Sequence, residues 1–211
     1  MNYDYVNKIL DDLESLYPNA KAQLNFTNAF ELLIATILSA QCTDVRVNKV
    51  TDILFKKFNT PKSIMDLGVD GLSKYIKSCG LYKNKSKNII ATCNVLYNDF
   101  NSQVPDNLKD LMSLPGVGRK TADVVLSNAF GIPAIAVDTH VFRVTNRIGI
   151  VNEKDVLSTE ISLMKVIPKK RWSKSHHLFI WHGRNLCKAR NPKCEECILN
   201  DRCGFFNSQN I

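Results

Sequence analysis

Apolar residues recur at helical spacing along nearly the whole chain, and no window sustains the period-two alternation of a strand. That feature confines the chain to an all-α architecture. Tyr5, Val6, Ile9, Leu10, Leu13, Leu16 and Tyr17 form one stripe, stopped by Pro18. Residues 29–40 are mostly apolar, which predicts a central buried helix. Thr43 and Asp44 offer caps for a helix bearing Val47, Val50, Leu54 and Phe58, ended before Pro61. Two short helices, 61–67 and 70–78, follow, the second closed by Gly80. A longer one spans 84–100. Helices at 106–113 and 119–130 are joined by Leu114-Pro115-Gly116-Val117-Gly118, and helices at 139–147, 153–166 and 173–186 complete the set. The tail beyond Gly204 is expected to fray.

At 211 residues the chain makes one large domain or two small ones. Its 45% hydrophobic and 23% charged residues exclude a disordered chain. No apolar run approaches the ~18 residues of a spanning helix. The acidic start, with Asp4, Asp11 and Asp12, lacks the apolar stretch of a secretory signal, so a cytoplasmic address is expected. The net charge is +8, and it is localised. Residues 161–194 hold nine basic residues (Lys165, Lys169, Lys170, Arg171, Lys174, Arg184, Lys188, Arg190 and Lys193) and no acidic one. Trp172, Phe179 and Trp181 are interleaved among them. Such a segment reads either as the footprint of a polyanion or as a merely solvated face.

Seven cysteines in a chain without a secretory signal argue against a disulfide framework. Cys42, Cys79 and Cys93 stand in apolar helical surroundings and read as small buried hydrophobes. The other four, Cys187-x6-Cys194-x2-Cys197-x5-Cys203, crowd into one short loop. Four thiolates so close suit zinc or an iron–sulfur cluster. The wide first gap and single tight pair fit a cubane cluster better than a zinc ribbon, in a structural role.

The second constellation is the turn Leu114-Pro115-Gly116-Val117-Gly118 followed by Arg119, Lys120 and Thr121. Its two glycines let backbone amides approach an anion at the start of a helix, where the dipole favours negative charge. The alternative is a tight turn that simply needed glycine. Lys120 occupies the first helical turn, a position whose field favours the neutral amine. A neutral amine and the carboxylate of Asp138 are the ingredients of Schiff-base chemistry. Asp138 also stands where a helix N-cap belongs. His140, His176, His177 and His182 lack metal-ligand spacing with the cysteines, and His176 and His177 are expected at the surface or facing phosphate.

Taken together, residues 114–122, the segment Val137-Asp138-Thr139-His140-Val141-Phe142-Arg143 and the cysteine tail resemble the endonuclease III family of DNA glycosylases. Ser39-Ala40-Gln41-Cys42-Thr43-Asp44 and Cys79-Gly80-Leu81-Tyr82 are also similar to family segments. The resemblance runs from the first helix to Cys203, and the three main motifs in that order are highly specific. It implies an all-α, helix-hairpin-helix DNA glycosylase fold. A six-helix domain at 22–132 would contain the hairpin. A second domain, 1–21 plus 133–211, would carry a [4Fe–4S] cluster on a C-terminal loop, with DNA in a cleft between the two.

Carried over by position, Lys120 is the nucleophile and Asp138 its carboxylate partner. Gly116 and Gly118 present the phosphate-binding hairpin, with Arg119, Thr121 and His140 also at the DNA. Gln41 and Leu81 fill the gap left by an extruded nucleotide. Cys187, Cys194, Cys197 and Cys203 ligate the cluster, and Lys188, Arg190 and Lys193 lie on its DNA-facing loop. Asn191 stands where another basic residue is expected. The implied activity is base excision repair: removal of oxidised pyrimidines from duplex DNA by a DNA N-glycosylase with AP-lyase activity. A monomer acting on nucleoid DNA, with no membrane partner, is expected. A non-enzymatic DNA-binding module would leave Lys120 with Asp138 unexplained. An iron–sulfur redox or sensor protein would leave the hairpin unexplained.

Overall fold

The computed structural model describes residues 3–209, and every regular element among them is a helix. In chain order the α-helices are α1 (Tyr3–Leu16), α2 (Ala29–Ser39), α3 (Asp44–Leu54), α4 (Pro61–Ile76), α5 (Tyr82–Asp99) and α6 (Leu108–Ser113). There follow α7 (Arg119–Ala129), α8 (Thr139–Ile148), α9 (Val156–Val166), α10 (Trp172–Asn185) and α11 (Gly204–Gln209). Among the described residues no helix is long and apolar enough to cross a membrane. The chain divides into two compact units, Gln23–Gly131 and a discontinuous one made of Met1–Ala22 and Ile132–Ile211.

The continuous unit is built around α2. Every residue from Phe30 to Leu38 is buried, because α3, α5 and α7 all pack against this helix. Its start is specified locally. The Asn28 side chain accepts from the Glu31 amide at 2.9 Å, and the buried Glu31 carboxylate accepts from the Thr27 amide at 2.7 Å. A carboxylate there also meets the positive end of the helix dipole. The α4 segment is broken at Gly68, whose φ of +64° separates the two short helices expected from the sequence. It packs against α5, where the Ser73 hydroxyl donates to the Ser86 hydroxyl at 2.8 Å.

In the discontinuous unit, α1 lays Val6, Ile9, Leu10 and Leu13 into a core shared with Val141, Val144 and Ile148 of α8, Leu163 of α9 and Leu178 and Phe179 of α10. Burying each such aliphatic side chain stabilises by about 2 kcal/mol relative to exposure. Polar links reinforce the seat of α1. Arg171 pairs with Asp11 at 2.7 Å and Glu14 at 3.3 Å, Arg202 pairs with Asp12 at 2.6 Å, and the Lys174 ammonium donates to the Pro18 carbonyl at 2.9 Å.

Three expectations are corrected here. The basic segment is not one free face, because Arg171 and Lys174 are spent on α1 and the residues after it. The interleaved aromatics are core elements: Phe179 is fully buried, and the Trp172 indole N–H donates to the Ile167 carbonyl at 2.8 Å. The tail does not fray at Gly204. It forms α11, with the Arg147 guanidinium 4.4 Å from the Phe205 ring centroid; Asn210 and Ile211 lie outside the described residues.

His176 is buried rather than at the surface, its ring centroid 3.9 Å from that of His177. Burial, with a smaller contribution from the Lys174 charge, pushes the His177 pKa down from 6.5 to about 4. Between those values the unfolded chain binds a proton that the folded chain refuses, so stability falls as pH falls through that window. The expected outcome is that His177→Gln loses less melting temperature than the wild type between pH 6.5 and about pH 4. Parallel acid limbs for the two proteins would refute it.

Candidate active site

The hairpin joins α6 to α7 through residues 114–118, and its shape needs glycine at one position only. Gly116 has φ +77°, and a Cβ there would meet the Asn88 side chain at 2.8 Å. Gly118 is the N-cap of α7 with φ −88°, and a Cβ there would meet nothing within 4 Å. The turn is braced from α5, where the Thr92 hydroxyl donates to the Pro115 carbonyl at 2.6 Å. Gly118 supplies no side-chain cap, so the first amides of α7 have no helical acceptor and point out of the helix start. Lys120 is exposed in that first turn, with Arg119 and Thr121 half-buried on either side.

Gln41 and Leu81 lie in the same unit on two touching turns. A Cβ built on Gly80 would sit 3.3 Å from the Gln41 carbonyl. Both residues have left-handed backbones, φ +53° for Gln41 and φ +59° for Leu81. Leu81 is also 57% exposed, an unusual position for a leucine. Non-glycine residues held in this region cost about 1–3 kcal/mol each and persist where the surroundings over-determine them. Here the brace is Lys85, almost fully buried, whose ammonium donates to the Leu38 carbonyl at 2.8 Å and the Ala40 carbonyl at 2.6 Å.

Asp138 belongs to the discontinuous unit. It caps α8, its Oδ1 accepting from the His140 and Val141 amides, each at 2.8 Å. Neither cap bond uses Oδ2. Next to it, His140 Nδ1 lies 3.1 Å from the Arg143 guanidinium. An arginine only donates, so Nδ1 is the acceptor and the ring proton sits on Nε2. Burial is the main reason that the His140 pKa falls below its ordinary value, which keeps the ring neutral near pH 7.

The four loop cysteines line one cavity together with Ile148, Leu186, Pro192, Leu199, Phe205 and Phe206. Four thiols lining one largely apolar cavity suit an iron–sulfur cluster. The partners around it suit anionic sulfur. Arg147 Nη1 is 3.7 Å from Cys187 Sγ, and His182 Nε2 is 3.6 Å from Cys197 Sγ. The Tyr17 hydroxyl, held protonated by burial with its pKa near 12, lies 3.3 Å from His182 Nδ1.

Lys188 and Arg190 are exposed between Cys187 and Cys194, whereas Lys193 is paired with Glu196 at 2.9 Å. Asn191 has φ +50°, and asparagine tolerates that backbone better than a basic residue does. Two arginines on α8 carry this loop, and local sequence reasoning does not find them. Arg143 donates to the carbonyls of Gly183 and Cys187, each at 3.0 Å. Arg147 donates to those of Lys188 at 2.7 Å and Ala189 at 3.1 Å. Their four-residue spacing, one helical turn, is the only signal in the sequence.

The glycine geometry separates two substitutions that look alike. Gly116→Ala is expected to lower stability by about 1–3 kcal/mol and to weaken duplex binding, because it strains φ and displaces Asn88. Gly118→Ala is expected to stay within about 0.5 kcal/mol of the wild type. Thermal melts and duplex titrations of both variants check this, and equal behaviour of the two would contradict it.

Comparison with known proteins places this geometry. Residues 34–169 match the HhH-GPD superfamily of base excision DNA repair proteins, and residues 187–203 match the iron-sulfur binding domain of endonuclease III. The chain is 50% identical to endonuclease III of Escherichia coli K12 over 204 residues, covering 97% of each chain. It is 47% identical to endonuclease III of Bacillus subtilis over 204 residues, covering 96% of this chain and 93% of the relative. A solved endonuclease III, trapped as a covalent intermediate with DNA, overlays with a TM-score of 0.94 at 46% identity, and the match covers 100% of both chains. The cofactor is a [4Fe–4S] cluster. With its full-length likeness, its hairpin and its cysteine loop, the chain belongs to the endonuclease III family of helix-hairpin-helix base excision DNA repair enzymes.

Proposed function

We propose that Lys120 and Asp138 carry the two chemical steps of this enzyme. The chain is a bifunctional DNA glycosylase and AP lyase of base excision repair. The observation that carries our assignment is the position of Lys120, an exposed amine in the first turn after an uncapped hairpin. The trapped covalent endonuclease III–DNA structure supports a nucleophile that bonds to its substrate.

The substrates are oxidised pyrimidines and abasic sites in duplex DNA. The target nucleotide must leave the stack to be reached, which damage makes easier. Gln41 and Leu81 occupy the vacated space. The hairpin amides at Gly116 and Gly118, with Arg119 and Thr121, hold backbone phosphate, and Lys188, Arg190, Lys193 and His140 contact DNA further along. For Lys193 this means exchanging the Glu196 carboxylate for a phosphate, an inexpensive exchange for an exposed pair worth at most about 1 kcal/mol.

The Lys120 amine attacks C1′ and the C1′–N bond breaks with release of the base. Asp138 stabilises the positive character that the sugar develops and helps to take the amine proton. Ring opening gives an imine between Lys120 and C1′. The imine acidifies the C2′ proton, whose loss expels the 3′ phosphate by β-elimination. Cys187, Cys194, Cys197 and Cys203 hold the cluster, which supplies cross-linking of the loop when bound. All of these residues come from one chain, so a monomer suffices, and its substrate places it with the nucleoid in the cytoplasm.

Borohydride is expected to trap the wild type on an abasic-site duplex. Lys120→Gln is expected to abolish trapping and strand cleavage while duplex binding largely remains. Asp138→Asn is expected to impair base release more than the lyase step, since the carboxylate matters most while the sugar is becoming positive. A full yield of adduct from Lys120→Gln would move the nucleophile elsewhere. Cys194→Ser is expected to lose iron and loosen the loop; undiminished iron in that variant would remove Cys194 from the ligand set.

A further inference from the structure

His182 stands on the wall of the cysteine cavity, and its ring is engaged on two sides. Its Nε2 lies 3.6 Å from Cys197 Sγ, and its Nδ1 lies 3.3 Å from the Tyr17 hydroxyl. The residue is 1% exposed, and burial disfavours a charged imidazole. Its main chain serves the same loop, the His182 carbonyl accepting from the Cys187 amide at 2.9 Å. Tyr17 is held in turn just past α1. Its amide donates to the Leu13 carbonyl at 2.8 Å, and its ring centroid is 6.3 Å from that of Trp181. Neither residue has a part in the chemistry assigned to Lys120 and Asp138. A buried histidine with one partner is ordinary packing. Here both ring nitrogens are engaged, one of them by a cysteine sulfur, in a line of side chains running from the end of α1 through α10 to the loop.

We propose that Tyr17 and His182 form a relay of hydrogen bonds that positions Cys197 for the cluster and raises the reduction potential of the cluster. The proposal rests on the assignment of Cys197 as a ligand.

The direction of both bonds follows from the sulfur. A cysteine that ligates iron is a thiolate, and a thiolate only accepts. The proton of the neutral ring therefore sits on Nε2, which donates to Cys197 Sγ. Nδ1 keeps its lone pair, and the Tyr17 hydroxyl donates to it. The opposite tautomer would aim a lone pair at an anionic sulfur. Tyr17 thus fixes which nitrogen faces the loop, as partners of a ring's second nitrogen do around metal sites. The other sulfur contact, from Arg147 to Cys187, comes from a group that donates in every state. The His182 contact depends on the tautomer, and so on Tyr17. A hydrogen bond draws negative charge from a ligating sulfur and favours the more reduced, more negative state of a cluster, which raises its potential.

The test uses the full-length protein with its cluster, without DNA. The midpoint potential is measured by voltammetry, and iron content and iron release to a ferrous chelator are followed on the same samples. Tyr17→Phe keeps the ring and removes the hydroxyl. It is expected to hold as much iron as the wild type and to shift the midpoint to lower potential. His182→Leu is expected to shift the midpoint further and to release iron about tenfold faster, the scale on which lost partners of metal ligands act. His182→Gln, whose side-chain amide donates near the place of Nε2, is expected to recover most of the potential. A packing role alone would not order the potentials in this way. An unchanged midpoint in Tyr17→Phe, or a His182→Gln midpoint no higher than that of His182→Leu, would overturn the proposal. Where His182→Leu assembles no cluster, Tyr17→Phe against the wild type decides. Undiminished iron in Cys197→Ala would instead remove Cys197 from the ligand set.

Discussion

The discontinuous unit depends on one close helix crossing. A side chain at Gly183 would press on Arg143, His140 and Val144, each at about 3.1 Å, so α8 and α10 meet backbone to side chain there. That proximity is what lets Arg143 reach the carbonyls of Gly183 and Cys187. From the same helix, Arg147 holds the next part of the loop and packs on Phe205. The N-terminus of α8 presents Asp138, while its C-terminal half carries the cysteine loop. The carboxylate and the metal loop are thus two ends of one rigid element, and a disturbance at Gly183 reaches both.

A recurring feature of the assigned site is polar groups used twice. Asp138 satisfies two helix amides through one oxygen, a charge-assisted arrangement that fixes its rotamer while neither cap bond uses the other oxygen. Arg143 fixes both the loop and the tautomer of His140. Lys85 satisfies two carbonyls of the turn that would otherwise be buried without donors, and so holds Gln41 in a backbone conformation that it would not adopt alone. Pre-organisation in this chain therefore comes from hydrogen bonds to main chain, more than from ion pairs between side chains.

What was legible in the sequence was local. Helical periodicity, the caps at Thr43 and Asp138, the break at Gly68 and the crowding of four cysteines are each written within a few residues. The hairpin was legible as a turn with uncapped amides, although only the structure separates the strained Gly116 from the permissive Gly118. The rest was set by partners far along the chain. Arg171 and Lys174 read as part of a basic face because Asp11, Glu14 and Pro18 lie more than a hundred residues earlier. Arg143 and Arg147 showed nothing of their loop partners for the same reason. The tail read as frayed because six residues rarely hold a helix alone; α11 does so through Arg147 and the cysteine cavity.

The seat of α1 has a consequence for how the chain is made. This helix is synthesised early, yet its apolar stripe of Val6, Ile9, Leu10 and Leu13 is completed by α8, α9 and α10, which follow the whole of the other unit. Gln23–Gly131 has all its own partners in hand as soon as it leaves the ribosome, so it can close first. Throughout that interval α1 trails as an unpaired amphipathic segment. The two units are therefore born in the reverse of the order in which their first residues appear, and a nascent chain arrested near residue 131 would present a finished body with a sticky leader.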